Sequence, residues 1–321
     1  MIVLCSISWP YEETVRVIEE LTKVEVSSKE AQLIVGEEGE RVREEEREEI
    51  EEFYEGSWKE RVEEVKESPE RIYIELDGVY INDREGEGGM EGKVGVIHLG
   101  VEEIGGGWWR GYMWGDMKAV RNWVREYIMR LFRRGSFPKG IMNTGEIIVK
   151  GDGAGWIKGI GEEYFLESRY ILDWYHLREK VWRAIGSRRV REEIGEGYEE
   201  IGRWLLGKLW RGEVEEVLGR LKEIRDGLEK EEGREKLEEL RKYIQNNEEG
   251  IGYAQLEEEG IVIGSGGIEK GVDLLVCRRQ KRRGMSWTRE GADKLLALRL
   301  LYFNHRWDDH WQQRSPLPKA A

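Results

Sequence analysis

Only two cysteines, Cys5 and Cys277, occur among 321 residues. Two cannot build a disulfide framework or a cysteine-based metal site, and such scarcity fits a reducing cytosol. No stretch approaches 18 consecutive apolar residues, so no membrane-spanning helix is expected. The start, Met1-Ile2-Val3-Leu4-Cys5-Ser6-Ile7, lacks the basic opening of a signal peptide. These features point to a cytoplasmic protein with no membrane partner. Asn and Gln are sparse beside Glu, Lys and Arg, a bias found in hyperthermophile proteins.

Basic charge is short overall. Lys and Arg number 52 against 66 acidic residues, a formal net charge of −14. The deficit is local. Residues 1–70 hold 22 Glu and 9 Lys or Arg, a net of −13, and the other 251 residues carry about −1. Residues 278–321 hold 11 Lys or Arg and 4 acids, a net of +7. The global balance therefore excludes little about what the rest of the chain can bind.

Residues 11–22 place Val15, Ile18 and Leu21 on one helical stripe. A second helix, capped by Ser27 or Ser28, carries Ala31, Ile34 and Val35. The pair reads as a truncated helix-turn-helix or as a plain helical hairpin, and its acidic surroundings favour the hairpin at least as much. Residues 37–67 read as a long solvated helix that Ser68-Pro69 ends. Residues 71–81 begin as an alternating strand, with Ile72, Ile74 and Leu76 on one face and Asp77 near the middle. Residues 93–101 and 108–114 follow as strands, giving an antiparallel meander. A helix is expected over 116–134. Strands leading to Asp152 and to Leu172 then alternate with helices. The helix over 175–191 is basic, and 192–247 stays helical throughout. A strand-like run, Ile261-Val262-Ile263, leads through Gly264-Ser265-Gly266-Gly267 into a helix with Glu269 in its first turn. A last helix covers 289–302, and the tail after Trp307 is expected to be loose. The fold class is α/β with an α+β type of mixed sheet. The divisions are a helical segment over 1–69, a first core part over 70–190, a helical insertion over 191–260 and a core completion over 261–321.

Two stretches carry chemistry. Gly151-Asp152-Gly153-Ala154-Gly155-Trp156-Ile157 puts an aspartate at a strand end, with glycines that let a ligand come close. The bland alternative is a strand-turn-helix corner with Asp152 as helix cap. Leu172-Asp173-Trp174-Tyr175-His176-Leu177 follows the next strand. Together with Leu76-Asp77-Gly78-Val79-Tyr80-Ile81, Gly264-Ser-Gly-Gly-Ile-Glu-Lys270 and Lys281-Arg-Arg-Gly-Met-Ser-Trp287, they resemble the DDE transposases of prokaryotic insertion sequences, in the Mutator-like branch. The resemblance covers roughly residues 70–305. Each motif is weak alone; five in order are specific.

The resemblance implies an RNase H-like core with an all-helical insertion. It implies metal-dependent cleavage and strand transfer of an insertion sequence by Asp77, Asp152 and Glu269, which lie 75 and 117 residues apart. Three carboxylates suit a pair of Mg²⁺ or Mn²⁺ ions, which prefer hard oxygen ligands. The partners would be double-stranded DNA, at element ends and target, with a homo-oligomer assembled on it. Asp173 and His176 share a helix face and are expected either to support the site or to be an N-cap and a half-buried histidine. That branch often has Cys where Asp173 stands. Zinc is disfavoured because no further His lies close in sequence. Gly264-Ser-Gly-Gly lacks the Gly-Lys-Ser/Thr ending of a nucleotide loop. Arg278, Arg279, Lys281, Arg282 and Arg283, with Trp287, are expected to contact DNA, against the alternative of a solvated face. Glu269 has a rival in Asp273, one turn on. Other readings are an RNase H-like nuclease without strand transfer and a non-catalytic DNA-binding remnant of an element.

Overall fold

Parallel strand pairing lies at the centre of the computed structural model, which describes residues 1–54, 71–86, 88–98, 109–113, 146–164, 168–282, 284–304 and 306–314. The helix expected over 116–134, the end of the one expected over 37–67, Arg283 and the last residues of the tail lie outside these. In chain order the elements are α1 (Ile2–Ser6), α2 (Tyr11–Thr22), α3 (Ser28–Tyr54), β1 (Arg71–Asn82), β2 (Gly89–His98), β3 (Trp109–Met113) and β4 (Glu146–Gly151). Then come α4 (Gly155–Tyr164), β5 (Arg169–Leu172), α5 (Trp174–Ile185), α6 (Arg188–Ile194), α7 (Tyr198–Trp210), α8 (Val214–Gly227), α9 (Glu231–Asn246) and α10 (Tyr253–Glu258). The chain ends with α11 (Gly266–Val272), a π-helical turn (Asp273–Cys277), α12 (Arg278–Gln280), α13 (Arg289–Phe303) and α14 (Trp307–Gln312). The class is mixed α/β, mostly helical, with strand order β3-β2-β1-β4-β5. β1 pairs with β4 and β4 with β5 in parallel, whereas β2 and β3 are antiparallel. Among the described residues no helix is long and apolar enough to cross a membrane.

The chain divides into two compact units. One comprises 1–70, 76–145 and 268–321; the other comprises 71–75 and 146–267. In the first unit, Val35 and Val42 of α3, Val94 and Val96 of β2, and Leu295, Leu296 and Leu298 of α13 share a core. Each such side chain contributes roughly 1.5–3 kcal/mol on full burial. α3 lies close against α13: a Cβ at Gly39 would meet the Lys294 carbonyl oxygen at 2.5 Å. A capping box starts α3. Ser27 Oγ accepts the Glu30 amide at 3.2 Å and Glu30 Oε2 accepts the Ser27 amide at 2.8 Å.

The helix-turn-helix expectation meets one continuous α3 rather than a short second helix with a separate charged one. On α2 the buried residues are Thr14 and Ile18, while Leu21 is exposed. Within the described part of the tail expected to be loose, α14 forms and His310 is buried between Glu38 and Glu45 of α3, at 2.7 and 3.3 Å.

In the second unit, Tyr73, Ile148, Ile171 and Leu172 of the strands meet Leu177, Val181, Leu205, Leu209, Leu221, Leu237 and Ile244 of the helices. The helical insertion is therefore part of this core. Trp174, Trp210 and Tyr253 form a T-shaped and tilted aromatic cluster with centroids 4.8–5.6 Å apart, and the Tyr253 hydroxyl donates to the Leu172 carbonyl at 2.9 Å. The basic 175–191 stretch is two helices, broken at Gly186 and Ser187. Ile261-Val262-Ile263 is an irregular segment, not a strand. Its carbonyl at Val262 is taken by Lys150 instead of a neighbouring strand.

Candidate active site

The turn after β4 is built around Asp152. Its Oδ1 accepts the Ala154 amide at 2.9 Å, an Asx turn that bends the chain. α4 starts only at Gly155, so Asp152 shapes the turn and is not the helix cap. Gly153 takes φ 91°, a left-handed conformation that strains any residue with a Cβ. Tyr243 of α9 donates its hydroxyl to the Asp152 carbonyl at 2.7 Å. Tyr170 of β5 donates to Asn247 Oδ1 at 3.3 Å. Burial, then the Asp152 charge, raises the Tyr170 hydroxyl well above its ordinary range. Burial, Tyr170 and Asp152 do the same for Tyr243. Both phenols therefore stay neutral.

Asp173 is the N-cap of α5, accepting the His176 amide at 2.8 Å and facing its Nδ1 at 2.9 Å. It is 1% exposed. Burial pushes its carboxyl up, but hydrogen bonds from His176 and Ser265 outweigh that and hold it below the usual carboxylate range. The N-cap and half-buried histidine expected as the plainer reading are thus both present. The Asp173 amide donates to the Gly151 carbonyl at 2.9 Å. Gly151 pairs with Leu172, so Asp152 and Asp173 each follow a paired residue by one.

The last pair between β1 and β4 is Glu75 with Lys150. Asp77 comes two residues after the former and Asp152 two after the latter. Glu75 and Lys150 form an ion pair at 2.5 Å with side chains 2% and 1% exposed. Lys150 Nζ also donates to the carbonyls of Val262 and Gly264, at 3.1 and 2.8 Å. A buried ammonium without such partners would be strongly unfavourable. The sequence reading missed this pair, along with Tyr170, Tyr243 and Asn247. The available signal was a charged residue inside each apolar strand.

In the first unit, Asp77 lies on β1, partly exposed, with Oδ1 accepting the Gly78 amide at 2.7 Å. Glu269 is in the first turn of α11 as expected. Asp273 opens the π-helical turn and is bridged by Arg278 at 2.8 Å. Burial raises the Cys277 thiol; Lys281 opposes this, and Asp273 and Asp77 add to it. The buried Arg299 of α13 donates to the carbonyls of Leu275, at 2.7 Å, and Leu274. It thus binds the π-helical turn to α13, and burial lowers its guanidinium to about 9.

The basic run separates into different roles. Arg279 is 1% exposed, donates to the Ser6 carbonyl at 2.8 Å and lies between the rings of Tyr11 and Trp287, at 5.1 and 5.0 Å. Burial lowers its guanidinium to about 10. Trp287 is 8% exposed and donates its indole N–H to the Gln280 carbonyl at 3.1 Å. Neither can reach DNA as placed, so both are corrected from DNA contacts to core residues. Arg278, Lys281 and Arg282 are exposed. Arg282 is tied to the Arg278 carbonyl at 2.8 Å and faces Glu13 at 3.8 Å. Arg283 lies outside the described residues.

Asp77, Asp152 and Glu269 supply hard carboxylate oxygens, the donor type that suits Mg²⁺ or Mn²⁺. Among the described residues, no three His, Cys, Asp or Glu side chains are gathered into a group that could hold a metal ion.

A model of an uncharacterised protein family, UPF0236, matches residues 16–314. The chain belongs to this family. A UPF0236 protein of Caldanaerobacter subterraneus subsp. tengcongensis is 30% identical over 250 residues, covering 75% of this chain and 49% of that protein. A second from the same strain is 29% identical over 256 residues, covering 75% and 49%. A third, described as lying in the vanSb 3′ region of Streptococcus gallolyticus, is 24% identical over 260 residues, covering 77% and 53%. The chain spans about half the length of these curated relatives. The name of the second relative joins eleven locus designations of one strain.

Proposed function

We propose that this UPF0236 chain carries the catalytic core of a DDE transposase, cutting the 3′ ends of an insertion sequence and joining them to target DNA. The observation that carries the reading is the β1–β4 register. Along the chain, Asp77 and Asp152 each follow the last pair of two parallel neighbouring strands by two residues. Nothing in composition requires that coincidence. The order of elements supports an RNase H-like core: three strands ending in an antiparallel pair, then alternating helix and strand. The same relative's many loci support the reading too, because an element that copies itself leaves one protein at many sites.

Asp77, Asp152 and Glu269 would hold the metal pair. Bound Mg²⁺ supplies activation of the attacking hydroxyl or water and stabilisation of the leaving oxygen. The Asp152 turn, held through its backbone, presents a half-buried carboxylate. The Glu75–Lys150 pair, buried two residues upstream of both aspartates, fixes the strands that carry them. Arg278, Lys281 and Arg282 would meet DNA phosphates. Asp173 holds His176 in a defined orientation for a supporting role at the site's edge. The chain is read as acting on DNA as an oligomer in the cytoplasm.

The test is Mg²⁺-dependent nicking of duplexes that end in the element's terminal repeats. Asp77→Asn and Asp152→Asn each abolish nicking while folding normally. Wild-type nicking by either variant would refute the assignment.

A further inference from the structure

The helical insertion has a use that the spacing of three carboxylates does not require. We propose that Tyr243 and Asn247, at the end of α9 and just beyond it, are positioning residues that hold the Asp152 turn in its observed conformation. This rests on the transposase reading of Asp152.

The Asp152 carbonyl and the Gly153 amide belong to one peptide plane. Tyr243 donates to the carbonyl at 2.7 Å, and Tyr170 donates to Asn247 Oδ1 beside it. One phenol thus grips the peptide unit directly and the second braces Asn247. Asn247 links them. Its Oδ1 accepts from Tyr170 at 3.3 Å and its Nδ2 donates to the Tyr243 carbonyl at 2.8 Å. It is 3% exposed. A flip of that peptide would change ψ of Asp152 and φ of Gly153 together and reshape the turn on which the carboxylate stands. Glycine makes a flip sterically easy, and the Tyr243 hydroxyl opposes it.

Packing acts in the same direction. A Cβ at Gly153 would come within 2.6 Å of Tyr243 Cε2 and 3.0 Å of Asn247 Nδ2, so the ring lies directly on the glycine. Lys158 of α4 adds a second tie beside it, to Glu249 at 2.6 Å. Lys180 covers the Tyr243 ring, with Nζ 4.6 Å from its centroid. Neither tyrosine bears charge or touches a reacting atom in this scheme; each acts through Asp152.

Tyr243→Phe removes one hydroxyl and leaves the ring. Amide hydrogen exchange, measured on the metal-free whole chain, is expected to quicken about tenfold over residues 150–156, with exchange in α7 and α8 unchanged, because one hydrogen bond is lost. In Mg²⁺, single-turnover cleavage of element-end DNA falls about tenfold and the Mg²⁺ midpoint rises, while the KM for DNA stays put. Tyr170→Phe, which removes the hydroxyl that donates to Asn247, reproduces both effects in weaker form and serves if Tyr243→Phe folds poorly. Unchanged exchange over 150–156 in both variants overturns the grip. Faster exchange with wild-type cleavage and Mg²⁺ midpoint overturns the positioning role. Asp152→Asn, assayed alongside, reports separately on the transposase reading: its wild-type cleavage would sink that reading even where the exchange result shows the grip.

Discussion

Asp293 of α13 is a carboxylate held where charge is disfavoured. Burial raises it to about 6; Arg43, 2.7 Å away, opposes the shift, and Glu46 and Glu40 add to it. The folded protein therefore keeps a proton that the unfolded chain releases between the ordinary aspartate range, about 3.9, and about 6. Stability contributed by that proton is present at the acid end and is lost as pH rises through this window, up to about 3 kcal/mol in total. Asp293→Asn should flatten that part of the stability–pH curve, measured by urea unfolding from pH 4 to 7. An unchanged slope would show that Asp293 titrates normally. Such residues were not legible in the sequence, where Asp293 reads as a solvated position on the last helix. Arg279 is the same case: inside a run of five basic residues nothing marks it as the one between two rings.

Among the elements, β1 and β4 depend on the Glu75–Lys150 pair. Removing one partner of a buried pair costs about 3–5 kcal/mol, because the other is left uncompensated. Lys150→Met should destabilise the protein by about that much and also release the 262–264 segment. Thermal unfolding measures the first and protease sensitivity near Val262 the second. A loss under about 1 kcal/mol would mean that the pair is replaceable by an apolar contact. Much at this scale was legible. β5 was read with its observed end at Leu172 because turn-forming residues follow a clear apolar run there. α2 and the start of α11 followed from periodicity and from the glycines ahead of Glu269. The π-helical turn was not legible, since Asp-Leu-Leu-Val-Cys reads as ordinary helix. Its carbonyls are taken by Arg299, more than twenty residues downstream, and local sequence carries no trace of that. The run 261–263 looked like a strand because it is apolar, but Lys150 takes a carbonyl that a neighbouring strand would have bonded.

For the whole molecule, two claims can be separated by salt and by chemistry. DNA binding through Arg278, Lys281 and Arg282 predicts that replacing each with Gln lowers the slope of log K against log salt by about 1. Arg279→Gln should leave the slope alone and lower the melting temperature, because its guanidinium holds Ser6 and two rings. An unchanged slope after the triple substitution would reduce the run to a solvated face. The central claim is strand transfer by three carboxylates, and one assay addresses it directly. Labelled duplexes with the element's 3′ ends are incubated with target plasmid and Mg²⁺, and joined products are counted for wild type, Asp77→Asn, Asp152→Asn, Glu269→Gln and Asp273→Asn. The account predicts cleavage and joining by wild type, retention of at least part of both in Asp273→Asn, and loss of both in the other three. Cleavage without joining by wild type would leave a nuclease, and joined products from any of those three variants would contradict the account.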